Sequence, residues 1–232
     1  MDADVFINLP KLKTHMKCGV TLSLKNLVGI NGNKNYLPHF VIGTPDQGGD
    51  EFPQSDAATK LQSRAITAFK AVARRTGAAT KLWGPLARRV GAKVFGDTST
   101  VVRSGNWYGN DTTWRMVLDL NRILLHYDGQ GQLRKKPLRY LSIIDGIIAG
   151  EGDGPSENDA KPCGLLVAGT NPVATDFVTA KVMGFDWQKI PMIRESFQMF
   201  GFTPEEIEVV PGWGEGFHFR PHFGWVGHIE AS

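Results

Sequence analysis

The sequence predicts an α/β layered domain, with a mainly parallel or mixed sheet flanked by helices, in one unit covering residues 1–232. Three observations lead there. Apolar, β-branched runs at 138–148 and 164–168 read as buried strands. The stretches 56–75 and 112–127 carry apolar residues at helical spacing. Strand-like and helix-like segments alternate along the chain, the pattern of a layered α/β fold.

Residues 3–9 read as a short buried strand that Pro10 ends. From Gly19 to Ile30 the apolar positions 20, 24, 27 and 28 suit a helix, while 20, 22 and 24 alternate as in a strand, so both stay open. Residues 31–55 form a long loop rich in Gly, Asn, Pro and Asp, a length more often functional than filler. Ser55 or Asp56 caps a helix that runs to Arg75, with Gly77 as its stop and Leu61, Ile66, Phe69 and Val72 on one face. The stretch 78–95, with Trp83, Leu86, Val90 and Phe95, predicts a second helix broken at Pro85, before a polar loop at 96–111. Asp111 or Thr112 caps the next helix, which Asp128-Gly129 ends after Tyr127. After the two strands, Asn171-Pro172 supplies a cap and a first-turn proline for a helix to Met183, closed by Gly184. A short helix at Pro191–Phe200 and a last strand at Ile207–Val210 follow.

Composition bounds the function classes. With 232 residues, 41% hydrophobic and 21% charged, the chain can bury a sizeable core and is neither collagen, coiled coil nor disordered. Its two cysteines, Cys18 and Cys163, make no disulfide framework, which favours a reduced, cytoplasmic setting. They are also too few for an iron–sulfur cluster held by this chain alone, since four thiolates are usual. No apolar run approaches the ~20 residues of a membrane span, and the start has no signal-peptide pattern. The net charge of +3 hides an asymmetry: from Lys60 to Arg103 there are ten Lys or Arg and one acid, Asp97. Residues 56–103 therefore read as a basic helical insertion. It is either a solvated face or a surface for an anionic membrane, a partner or a phosphate backbone. No nucleic-acid motif accompanies it.

Lys11, Lys13, His15, Lys17 and Lys25 fall within fifteen residues after the first strand, with Asn26 beside the last. Strand ends are common ligand sites in α/β folds, and such donors suit a phosphate or carboxylate. Asp145, Glu151 and Asp153 lie in DGIIAGEGDGP, where glycines such as Gly152 allow close backbone approach. They can hold a divalent metal, pair with the lysines, or serve turn chemistry. Asp176 lies in the first turns of its helix, where a carboxylate complements the dipole. His39 with Asp46 and Asp50 is a weaker metal pattern. His218 and His222 are four apart, but Pro221 argues against a helix between them, and His228 lies beyond.

INLPKLKTHMKCGVTLSLKNLVGI and DGIIAGEGDGPSENDAKPCGLLVAGTNPVATDFVTAKVMG resemble two signatures of the bacterial and archaeal "domain of unknown function 362" family. LPHFVIGTPDQGGDEFP and GNWYGNDTTWRMVLDLNRIL resemble one branch of it. The resemblance implies an α/β domain, at times fused to ferredoxin-type cluster domains, with no agreed activity, and makes Asp176 of NPVATD a second-line site residue. It also implies a further segment upstream of KLKTH that this chain lacks, and an incomplete domain favours association as a homo-oligomer. More distantly, His15 and Lys25, ten positions apart around Gly19, are similar to a spacing in nickel-pincer lactate racemases. That similarity implies Lys25 as the cofactor's attachment or anion-binding residue and His15 as base or ligand. The racemases' second histidine comes from an upstream segment absent here.

The expectation is a binder of a small carboxylate or phosphate ligand. The residues implicated are His15 and Lys25, then Lys11, Lys13, Asn26, Gly152 and Asp176, with Asp145, Glu151 and Asp153 for a divalent metal. An isomerase or racemase fits if it is an enzyme, His15 acting as base beside an anchored carboxylate. The alternative is a peripheral membrane or complex component docking through residues 60–103.

Overall fold

A computed structural model of the chain describes residues 3–33, 36–75, 101–210 and 216–231. Strands β1 (Val5–Asn8) and β2 (Lys11–His15) are one extended run, interrupted where Pro10 has no N–H to give to a ladder. The Pro10 carbonyl still accepts from Asp145 N–H at 2.8 Å, which keeps the run in place. β3 (Gly19–Thr21) folds back on β2. Both β1 and β2 run parallel to the long central strand β4 (Arg139–Asp153), which pairs antiparallel with β5 (Glu157–Gly169). The sheet is therefore mixed and five-stranded. The helices are α1 (Ser23–Asn26), α2 (Ala57–Arg75), α3 (Thr113–His126), α4 (Pro172–Val182) and α5 (Pro191–Phe200). The α/β layered class predicted from the sequence is the class observed.

The alternation of exposed and buried positions carries the layering. Along β1 and β2, Asn8, Leu12 and Thr14 are buried while Val5, Ile7, Leu9 and Lys11 are exposed. On β4, Tyr140, Ser142 and Ile144 face the same way as Asn8 and Leu12. That inner face receives α1, whose Ser23 Oγ lies 2.6 Å from Ser142 Oγ. α3 joins through Asn121 Nδ2, which donates to the Leu24 carbonyl at 2.9 Å. α4 is buried nearly all round, as a helix sandwiched between layers must be. Its start is fixed as the sequence predicts: Asn171 Oδ1 accepts from the Val173 and Ala174 N–H groups, and Pro172 opens the first turn.

Several expectations change. The segment 19–30 is both strand and helix in succession: β3 ends at Thr21, α1 starts at Ser23, and a 3-10 turn covers Leu27–Ile30. Lys11–His15, placed after the end of the first strand in sequence, is itself strand β2, its backbone engaged on both edges by β3 and β4. β4 and β5 extend far past their apolar runs, since their mutual ladder continues through the glycines to Asp153–Glu157. Ile207–Val210 forms no strand. It lines an open cavity of about 1080 Å³ together with Leu165–Gly169 and pairs with no strand among the described residues. The predicted helix at 78–95 lies outside the described residues. No described helix is long and apolar enough to cross a membrane.

Residues 216–231 return across the body. Gly152 N–H donates to the Arg220 carbonyl at 2.7 Å, Trp225 Nε1–H donates to the Met16 carbonyl at 2.8 Å, and Phe185 bridges to Glu230.

Candidate functional site

The KLKTH strand, its hairpin partner and α1 bring one group of donors together. Side chains two apart on a strand share a face, which places Lys13 and His15 on one side of β2. Thr21 stands directly opposite Lys13 in the β2–β3 ladder and shares that face. Lys25 enters from α1, and its charge acts on His15, Lys13 and Cys18.

α1 is short, so its position rests on side chains from elsewhere. The Asp176 carboxylate accepts from Ser23 N–H at 2.7 Å and from Leu24 N–H at 2.9 Å. Asn26 Nδ2 donates to Asn8 Oδ1 at 2.6 Å, and Asn8 Nδ2 donates to the Ser23 carbonyl and to the Tyr140 hydroxyl. Asp176 thus caps another helix rather than complementing its own dipole, and Asn26 is a structural tie. Burial raises the Asp176 carboxyl to about 7, although backbone N–H donors pull the other way. Every neighbour of Lys25 in α1 is held by such bonds. Lys25 itself is only 8% exposed and has neither hydrogen bond nor ion pair among the described residues.

His15 is buried as well. Burial first, then the charges of Lys25, Lys17, His39 and Lys13, push its pKa well below the ordinary histidine value, so it is neutral. Its Nδ1 accepts from Lys17 N–H at 3.0 Å, which assigns the proton to Nε2. His15 therefore presents an N–H donor, and Nε2 has no partner among the described residues. The Thr21 hydroxyl is buried and has no hydrogen-bond partner among the described residues. Burial, then the Lys25 charge, lowers the Lys13 pKa. Lys13 Nζ donates to the Pro155 carbonyl at 2.8 Å, and Lys17 Nζ to the Ser104 carbonyl at 2.5 Å. Thr21 completes a cluster that spacing alone nominated only in part. The signal available for Thr21 was its place opposite Lys13, which requires the hairpin register.

Cys18 Sγ lies 3.4 Å from His15 Nδ1, a pairing reminiscent of a thiol nucleophile and its base. The chemistry is wrong for that role. Burial pushes the Cys18 thiol up to about 12, its S–H is directed at the Val20 carbonyl, and His15 Nδ1 already accepts a backbone N–H. A small alkylating reagent should therefore modify the half-buried Cys163 in the native chain and Cys18 only on unfolding, as read by mass spectrometry of the labelled peptides.

The carboxylates do not join this cluster. Asp145 pairs with Lys11 at 2.8 Å, and that hydrogen bond is the first cause lowering its pKa. Glu151 pairs with Lys161 at 2.8 Å and accepts from Arg220 N–H at 3.0 Å. Asp153 Oδ1 is 3.4 Å from Phe223 N. Gly152, at φ +79°, is where the tail docks: a Cβ there would meet the Arg220 guanidinium. Asp46 pairs with Lys60, Asp50 accepts from Val41, Asp111 and Thr112 N–H groups, and His39 Nδ1 is 2.8 Å from the Leu37 carbonyl. Among the described residues no three His, Cys, Asp or Glu side chains gather as metal ligands. His39 is near enough for its charge to act on His15, and its Nδ1 lies against the Leu37 carbonyl.

A model of the DUF362 family, described as a domain of unknown function, matches residues 1–181. A thylakoid-associated protein of Synechocystis, sll1697, is 25% identical over 209 residues, which cover 90% of this chain and 41% of that protein. The chain thus spans about two fifths of the length of this relative. No solved structure matches the chain. Strands β1 to β5 and helix α1 all lie within the matched residues, and the chain belongs to the DUF362 family.

Proposed function

We propose that the chain binds a small oxyanion, a carboxylate or a phosphate group, in the Lys13–His15–Thr21–Lys25 cluster. One observation carries the reading: Lys25 is more than nine-tenths buried, on a helix fixed by its neighbours, with no counter-charge among the described residues. An uncompensated buried cation costs several kcal/mol, and an anionic ligand removes that cost. His15 Nε2–H and the Thr21 hydroxyl add neutral donors of matching polarity. With Nδ1 occupied, His15 serves as donor to an anion rather than as the base of an isomerase.

Thermal unfolding with inorganic phosphate or lactate, against chloride at equal ionic strength, tests this. Stabilisation of about 2.7 kcal/mol is expected at an oxyanion concentration near 100 Kd. Lys25→Met should abolish the shift without lowering the stability of the ligand-free protein. His15 itself should add no pH dependence to lactate binding between about 6 and 8, because it stays neutral throughout. An equal shift in Lys25→Met, or none with either oxyanion in the parent protein, would sink the proposal.

A second reading has the chain dock on an anionic membrane surface through Lys60–Arg103. The basic excess there and the thylakoid-associated relative favour it. Flotation with anionic vesicles at low salt, lost at high salt, is its expected result, and a protein left in the bottom fraction at low salt would refute it.

A further inference from the structure

The charges of the lysine cluster distinguish one oxyanion from another. Lys13 and Lys25 are like charges held near each other: after burial, the Lys25 charge is what lowers the Lys13 pKa. Both are fixed in place. Lys13 Nζ donates to the Pro155 carbonyl at 2.8 Å, and Lys25 is buried on a helix tied down by Asp176, Asn8 and Asn26. Among the described residues no carboxylate acts on Lys13 or on His15. The acids of the neighbouring elements are engaged elsewhere. On β4, Asp145 pairs with Lys11, Glu151 pairs with Lys161, and Asp153 acts on His222. Asp176 on α4 acts on Cys18, but its carboxylate accepts from the Ser23 and Leu24 N–H groups. Like charges in a partly desolvated site repel strongly. A monoanion matches one of the two lysines and leaves the other, whereas a dianion matches both.

We infer that the site takes a dianionic phosphoryl group, on a phosphate monoester or as free phosphate, in preference to a carboxylate or a phosphodiester. This rests on the oxyanion reading above and adds the charge state of the ligand. The donor set agrees with the charge. Lys13, Lys25, the His15 Nε2–H and the Thr21 hydroxyl are four donor groups around one hairpin and one helix. A carboxylate offers them two oxygens, and a phosphate monoester offers three terminal ones. A phosphodiester, with one charge and two free oxygens, matches the site no better than a carboxylate does. Phosphodiester backbones of lipids and nucleic acids are therefore not what these residues select.

Calorimetric titration of the whole chain with glycerol phosphate, sulfate, dimethyl phosphate and lactate, at equal ionic strength, tests the charge preference. At pH near 7.5 the two dianions should bind at least about 10-fold tighter than the two monoanions, the worth of roughly one charge-assisted contact. A phosphate monoester loses its second proton near pH 6, so its affinity relative to sulfate should rise roughly 5-fold between about pH 5 and 7. Sulfate is a dianion throughout, so this ratio cancels the titration of groups around the site, namely His15, His39 and Asp176. Lys13→Met should reduce the dianion preference to within about 3-fold, and Lys13→Arg, which keeps the charge, should retain it. Inorganic phosphate in place of glycerol phosphate separates the two sources: tighter binding of the ester marks a monoester ligand, the reverse marks the free ion, and both uphold the charge assignment. Monoanions that bind as tightly as dianions, or a monoester-to-sulfate ratio that is flat in pH, overturn the inference and leave the oxyanion site standing. Binding of none of the four anions overturns both.

Discussion

Asp176→Ala is expected to destabilise the chain by about 3–5 kcal/mol in urea unfolding, the cost of two unsatisfied buried N–H groups plus a small cavity. Asp176 is fully buried and its carboxylate is the N-terminal cap of α1, held from α4. The loss should spread to the site, because α1 places Lys25. Asp176→Asn keeps one acceptor and should cost about half as much. The pH dependence of the parent has a definite sign. Burial lifts the folded pKa of Asp176 to about 7 from 3.8, so the folded state holds a proton that the unfolded state has released between those values. Stability then falls as pH rises from about 4 to about 7, by at most about 1.4 kcal/mol per pH unit from this group, and levels off above. Asp176→Asn has no such proton. Urea midpoints near pH 5 and pH 8 should differ more in the parent than in this variant, and equal differences would refute the assignment.

Trp225→Ala should cost about 3–5 kcal/mol, the range for removing a buried tryptophan. The ring is 1% exposed, stands in contact distance of where a side chain at Gly19 would grow, and donates from Nε1 to the Met16 carbonyl. It thus clamps the turn between β2 and β3, the turn that carries Cys18 and Lys17. Trp225→Phe loses only the hydrogen bond and part of the ring, and should cost about 1–2 kcal/mol. The accompanying signature is chemical: Cys18, protected in the parent, should become reactive to alkylation in Trp225→Ala under native conditions. Full protection of Cys18 in that variant would show that the tail does not guard the turn. Trp225 lies beyond residues 1–181 of the family match, so the tail supports the family's hairpin from outside the matched region.

Much of the architecture could be read from residue order. The helix at 113–126 follows from apolar spacing, and that at 172–182 from Asn171-Pro172, because caps and amphipathic faces are local. The central strands show in their β-branched runs, but their full length does not, because glycines in a ladder are held by the neighbouring strand. Ile207–Val210 has strand composition without a strand, since pairing needs a partner edge within reach, which residue type alone does not supply.

The candidate site divides in the same way. Lys13, His15 and Lys25 are visible as a basic cluster in sequence, and the family follows from the two signatures around them. Only the tertiary structure decides that Lys25 is buried without a counter-charge, that His15 offers an N–H rather than a lone pair, and that Thr21 belongs beside them. It also decides that Asp145, Glu151 and Asp153 contact Lys11, Lys161 and the tail. The physical reason is that residue type and spacing fix which charges and hydrogen-bonding groups exist, whereas burial and register, both long-range properties, fix which of them remain unpaired.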